Sequence, residues 1–172
     1  MVLYLALTIL CSCKQCKDDI PNELCSKKTP MSLGSLRTDG YYFRQIDEAP
    51  ARREILFLYN DGVLLYGGLV YMEDLGQKEQ EYSSGEYYNF AKSNQNLWGN
   101  FRIVDSEISY ERWHPSTNYQ LAFVSKGFLL NDSSFRMVMT SRCDGTEWHS
   151  NQDDFQFKSF TSKPDSTNQF VQ

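Results

Sequence analysis

The feature that most constrains the fold is an alternation of apolar and polar residues with a period of two, cut at short intervals by turn signals. Gly40 to Ile46 (GYYFRQI) and Glu54 to Asn60 (EILFLYN) read as strands, and Asn60-Asp61-Gly62 separates the second from Val63 to Tyr66. Aspartate and glycine accept the positive φ of a tight turn, so that tripeptide predicts a hairpin. Leu97 to Val104 places Leu97, Gly99, Phe101 and Ile103 on one face, and Asp105-Ser106 turns the chain into Glu107 to Trp113. There Ile108, Tyr110 and Arg112 alternate with Ser109 and Glu111. Tyr119 to Ser125 meets Lys126-Gly127, read as another hairpin turn, before Phe128 to Leu130. Asn131-Asp132 leads to Ser134 to Thr140, and Asp153 to Phe160 closes the series. The order is that of a meander of about eight strands. Aromatic residues make up 15% of the chain, which suits strands. A curled antiparallel sheet must hide its edges, and closing on itself does so. The expected class is all-β, an antiparallel meander closed into a small barrel.

One stretch departs from the pattern. Glu73 to Asn96 is polar, contains Gly76 and Gly85, and has few β-branched residues. Glu86 to Ser93 (EYYNFAKS) has the spacing of a short helix. The segment is read as a long excursion from the sheet, either a plain surface loop with one helical turn or a lid or plug. Long loops at a barrel mouth are where binding residues concentrate, so Tyr87, Tyr88 and Phe90 are the candidate ligand-binding residues.

The N-terminus is of another kind. Val2 to Leu10 is apolar over nine residues, and a helix crossing a bilayer core needs about 20. The run is short for a span and suits the hydrophobic region of a signal peptide. It leads into Leu10-Cys11-Ser12-Cys13, which resembles a bacterial lipobox, with Leu10 three residues before the acceptor and a small residue just before it. Cleavage is expected before Cys13 and acylation on it, giving a signal peptide over 1–12 and attachment to a membrane by acyl chains. Cys11 and Cys16 are poorer acceptors, because Leu10 and Gln15 precede them. Lys17-Asp18-Asp19 resembles the surface-export signal of Bacteroidetes-type lipoproteins, and equally any charged tether. Residues 13–34, with Pro21, Pro30, Gly34 and several Ser and Lys, read as a flexible tether. The barrel domain is expected over 35–160 and a disordered tail over 161–172.

The chain has five cysteines. With Cys11 cleaved off and Cys13 acylated, Cys16, Cys25 and Cys143 remain, which allows one disulfide and leaves one thiol. Cys16 with Cys25 would staple the tether, whereas Cys25 with Cys143 would pin it to the domain. Cys13-x-x-Cys16 has metal spacing, but the acylated sulfur is a thioether, so no metal is expected there. The formal charge of −5 carries no basic cluster, so neither nucleic acid nor a polybasic membrane patch is expected.

Little else points to chemistry. Each of the two histidines, His114 and His149, sits in a loop or at a strand end. Cys143 and His149 could sketch a thiol and its base, and Asp153-Asp154 or Glu79, Glu81 and Glu86 could supply paired carboxylates. No phosphate loop, nucleophile elbow or calcium loop is found in the sequence, and neither a catalytic residue nor a cofactor is expected.

The lipobox, the short tether, Leu36-Arg37-Thr38-Asp39-Gly40-Tyr41-Tyr42, the Phe57-to-Gly62 run and Trp98-Gly99-Asn100-Phe101-Arg102-Ile103 together resemble small lipocalin-like lipoproteins of Bacteroidetes. True lipocalins carry Gly-x-Trp near the first strand, where this chain has Gly40-Tyr41-Tyr42. The resemblance implies a lipocalin-like barrel lipid-anchored on the outer membrane, which an export signal at Lys17-Asp18-Asp19 would display on the cell surface. Two functions fit: a non-enzymatic interaction or structural module with an envelope protein as partner, or a carrier of an apolar or amphipathic small molecule. An open interior would favour the carrier, and a filled one with an exposed apolar patch the module.

Overall fold

In a computed structural model, which describes residues 23–32, 34–46, 51–115 and 120–172, the chain forms a closed antiparallel barrel. Its eight strands are β1 (Gly40–Gln45), β2 (Arg52–Leu58), β3 (Val63–Tyr71), β4 (Trp98–Val104), β5 (Glu107–Pro115), β6 (Gln120–Asn131), β7 (Ser134–Arg142) and β8 (His149–Ser159). Each pairs with its neighbours in sequence, and β1 closes on β8 with Tyr42 opposite Phe157. This is the closed antiparallel meander that the period-two pattern predicts, and its eight strands give the lipocalin-like barrel that the resemblance implies. The short turns after β2, β4 and β6 lie at one end, here the turn end; the longer connections leave from the other, the loop end.

Alternation divides the side chains between inside and outside. Tyr42, Leu56, Leu64, Phe101, Phe135 and Phe155 share one buried cluster, which fills the interior toward the turn end, and Leu36 joins it from the chain before β1. The Phe135 and Phe155 rings stack at 4.9 Å, and Tyr42 packs against Phe135 at 5.1 Å and Phe157 at 5.3 Å. A second cluster lies on the outer wall: Tyr41, Ile55, Phe57, Leu65 and Trp98 from the strands, covered by Leu75, Tyr82, Tyr87 and Ala91.

Those covering residues come from the polar excursion, which folds as two helices, α1 (Leu75–Ser84) and α2 (Glu86–Ala91), broken at Gly85 with φ +79°. The sequence anticipated α2 but not α1, whose apolar positions are few and widely spaced. The helices cover the outer wall of the barrel and form neither a lid nor a plug. Their place follows from a gap in the wall, because β3 pairs with β4 only over Val63–Leu65. Beyond that point the carbonyls of Tyr66 and Gly67 accept hydrogen bonds from the Tyr87 and Tyr82 hydroxyls, the latter at 2.7 Å. The Trp98 indole N–H donates to the Ala91 carbonyl at 2.8 Å. Glu79 adds a polar tie, accepting from Tyr41 at 2.7 Å and from Lys158 at 2.6 Å. Burial raises the Glu79 pKa, but those two donors outweigh it, and the carboxyl is held below its ordinary value.

Three expectations are corrected. Lys126-Gly127 is not a turn, because β6 runs through it to Asn131 with a shift of register at that point. Gly127 is required there because a Cβ would press on the Arg136 carbonyl of β7. Residues 161–172 are not a disordered tail. Lys163 lies over the Tyr59 ring at 4.1 Å and donates to the Thr38 and Leu58 carbonyls, Pro164 accepts from the Tyr59 hydroxyl at 2.8 Å, and Val171 is buried on the outer wall. Nor is the described part of the tether, 23–32, free. Ser26 donates to the Glu111 carboxylate and its carbonyl accepts from Asn100, so this stretch straps the wall of β4 and β5.

The predicted hairpin between β2 and β3 is present. Gly62 has φ +86°, and a Cβ there would press on the Thr29 carbonyl of the strap. Gly76 in α1 has open space around its Cα. A side chain at Gly62 would cost at least about 1 kcal/mol from its φ alone. Thermal unfolding of Gly62→Val and Gly76→Val is therefore expected to show the larger loss for Gly62→Val. Equal melting temperatures would contradict the turn.

Candidate functional site

The apolar filling of the barrel gives way, toward the loop end, to a charged layer. Arg44 and Glu54 are direct partners across β1 and β2, and the Arg44 Nε donates to Glu54 at 2.5 Å. The other arm of Arg44 donates to Asp153 on β8. Arg112 on β5 reaches Glu54 at 3.7 Å, and its guanidinium lies over the Tyr66 ring at 4.1 Å. Glu54 and Arg112 are both more than nine-tenths buried. Asn151 donates to Asp153, the Tyr110 hydroxyl meets Ser125, and Ser125 bonds Thr140 at 2.9 Å. Arginine suits such a layer because its planar fork can face two carboxylates at once.

The layer is electrically balanced, two guanidiniums against two carboxylates. Burial, opposed by the Glu54 and Asp153 carboxylates, leaves Arg44 raised above its ordinary value, so it stays charged. Burial also raises the Tyr66 and Tyr110 phenols, which keeps them protonated. His114, which packs on Phe123 at 5.2 Å near the end of β5, is pushed down to about 4 by burial and by the Arg112 charge, so its imidazole is neutral at neutral pH. Two atoms of the layer, Arg112 Nε and Asn151 Oδ1, are buried without a hydrogen-bond partner. One is a donor and the other an acceptor, so a small polar guest or a water would satisfy both.

The sequence-predicted residues lie elsewhere. Tyr87 is buried in the outer-wall cluster, Tyr88 donates to the Thr167 carbonyl at 3.1 Å, and Phe90 is exposed on α2. They do not converge on the barrel interior. Cys25 and Cys143 are joined in a disulfide with Cα atoms 5.9 Å apart, the pairing that pins the tether to the domain. That bond removes Cys143 as a nucleophile for His149. It also occupies both sulfurs of the one Cys and carboxylate grouping found among the described residues, Cys25, Glu111 and Cys143. Asp153 and Asp154 point to opposite sides of β8, toward Arg44 inside and Arg136 outside. Glu79 is engaged with Lys158, and Glu81 with Lys78. Cys13, Cys16 and Lys17-Asp18-Asp19 lie outside the described residues.

The sequence did carry a signal for the charged layer: Arg44, Glu54 and Arg112 fall on the inward parity of otherwise apolar strands, level with Tyr42, Leu56 and Tyr110. No family model, curated protein or solved structure matches the chain.

Removing one member of the layer leaves its partners charged and unpaired, a loss of about 3–5 kcal/mol for a buried pair. Glu54→Ala is expected to approach that loss in a denaturant titration. Glu54→Leu combined with Arg112→Met, which removes both charges, is expected to recover part of it. A double variant no more stable than Glu54→Ala would contradict the coupling.

Proposed function

We propose that this chain is a lipid-anchored envelope lipoprotein, held on the outer membrane through acyl chains on Cys13, with its lipocalin-like barrel serving as a non-enzymatic interaction or structural module. The filling of the interior carries the module reading. From Leu36 to the Arg44–Glu54–Arg112 layer, side chains in mutual contact occupy the space in which a carrier would hold an apolar ligand. The outer wall offers the exposed apolar residues Val104, Phe128, Leu130 and Val138, the kind of surface that a protein partner covers. Anchoring is supported by the apolar run and the Leu10-Cys11-Ser12-Cys13 motif. Among the described residues no helix is long and apolar enough to cross a membrane. Lys17-Asp18-Asp19 fits display on the cell surface.

One observation favours a second reading, a carrier of an amphipathic small molecule. The partnerless Arg112 Nε and Asn151 Oδ1 could take a polar head, while Leu69 and Tyr71, exposed at the end of β3, would face the apolar body.

A fluorescent fatty-acid probe titrated into the protein distinguishes the two, with unlabelled lipids, haem and quinones as competitors. The module reading predicts no saturable binding. Saturable binding that Arg112→Lys weakens, with the fold intact by circular dichroism, would overturn it in favour of the carrier. Intact mass of the membrane fraction is expected to show acyl chains on Cys13, and Cys13→Ala to abolish them. Acyl chains on Cys16 instead would contradict the anchor.

A further inference from the structure

Exposed apolar side chains gather at the loop end of the barrel. Ile46 follows β1, Leu69 and Tyr71 end β3, Met72 begins the passage to α1, and Trp148 precedes β8. Trp148 is the most exposed of them at 63%. The other two tryptophans, Trp98 and Trp113, are buried in the outer wall. The backbone around Trp148 is unusual, since Glu147 before it has φ +51°. The cations nearby are engaged within the chain, Arg142 with Glu147 at 3.2 Å and Arg52 over the Tyr71 ring, while Glu73 and Asp74 are exposed beside Met72. The rim is therefore apolar and aromatic with an acidic flank at Glu73 and Asp74, and it has no cluster of free cations among the described residues.

The course of the strap relates this rim to the N-terminus. Met31 is bonded to Asn60 at the turn end, Ser26 to Asn100 and Glu111 halfway up the wall, and Glu23 and Leu24 lie beside Trp113 near the end of β5. The chain thus climbs toward the loop end as it is followed back toward Cys13. The Cys25–Cys143 disulfide fixes it there, to the connection that carries Trp148. Nine residues lie between Cys13 and Glu23, ten Cα steps along the chain. Fully extended, they span at most about 35 Å.

We infer that the loop end of the barrel rests on the lipid surface to which the acylated N-terminus is attached, with Trp148, Leu69, Tyr71, Met72 and Ile46 entering the headgroup region. This inference rests on the proposed acylation of Cys13. Tryptophan and tyrosine favour that depth because an apolar ring and a polar tip are both satisfied there. A rim without free cations gains nothing from anionic lipid, so the contact is insensitive to salt and forms on phosphatidylcholine. The other exposed apolar group, at Val104 and Phe128, lies at the turn end beside Arg102, Glu107 and Lys126, away from the tether's exit.

The test uses the processed, full-length protein in phosphatidylcholine vesicles, with and without bromine on the acyl chains, and reads tryptophan emission. Because Trp98 and Trp113 are buried, quenching by bromine reports Trp148. The expected result is a loss of emission in brominated vesicles that persists in high salt and disappears in Trp148→Phe. Equal emission in the two vesicles from protein whose mass shows acyl chains would overturn the inference and leave the anchor standing. A mass without acyl chains would instead remove the anchor on which it rests. Val104→Trp in the Trp148→Phe background should not be quenched. Quenching there would place the opposite end on the lipid and overturn the inference as well.

Discussion

Tyr42 closes the barrel from within. It lies on β1, where the first strand meets the last, and its ring packs on Phe135 of β7 and Phe157 of β8. Its hydroxyl donates to the Arg37 carbonyl before β1 and to the Asp132 carbonyl in the turn after β6, at 3.0 and 3.2 Å. One side chain thus joins the closing seam, the interior packing, the chain before β1 and the turn after β6. Burial raises its pKa, so the donor proton is retained. Closure at this seam covers the ladder edges of β1 and β8, which a meander left open would expose.

The outer wall solves a second problem of the same kind. β3 is longer than its pairing with β4, and the uncovered length would leave backbone carbonyls without donors. The helices supply those donors through Tyr82 and Tyr87, and they bring the aromatic surface that Phe57 and Trp98 need. The Tyr82 ring meets Phe57 at 4.9 Å and Tyr87 at 5.0 Å, edge to face in both cases. Each such pair contributes about 1 kcal/mol beyond its burial. The excursion is therefore part of the barrel wall, which explains why its tyrosines are not free to bind a ligand.

The architecture was legible in the sequence because period-two alternation and turn residues are local. Gly62 marked its hairpin, and the alternation of Phe101 with Ile103 and of Ile108 with Tyr110 marked the inward face of β4 and β5. What escaped was decided over long distance. Lys126-Gly127 has the composition of a turn, yet Gly127 serves close strand approach within one long strand. Residues 161–172 are polar enough to read as disordered, but Lys163 and Val171 find partners about a hundred residues away. α1 has little amphipathic pattern of its own and is helical because Tyr82 and Glu79 have sites on the barrel. The charged layer was visible only as charges at the wrong parity, a signal that gains meaning once the barrel is closed.

A module that carries no ligand requires a barrel interior filled by the protein's own side chains. Xenon under pressure enters apolar cavities, including small ones that stay dry, and its electron-rich atom is readily located in a crystal. A crystal of the domain held in xenon is expected to show none among Tyr42, Leu56, Phe135 and Phe155. Xenon ordered among those four residues would mean a hollow barrel, and would contradict the module reading in favour of a carrier.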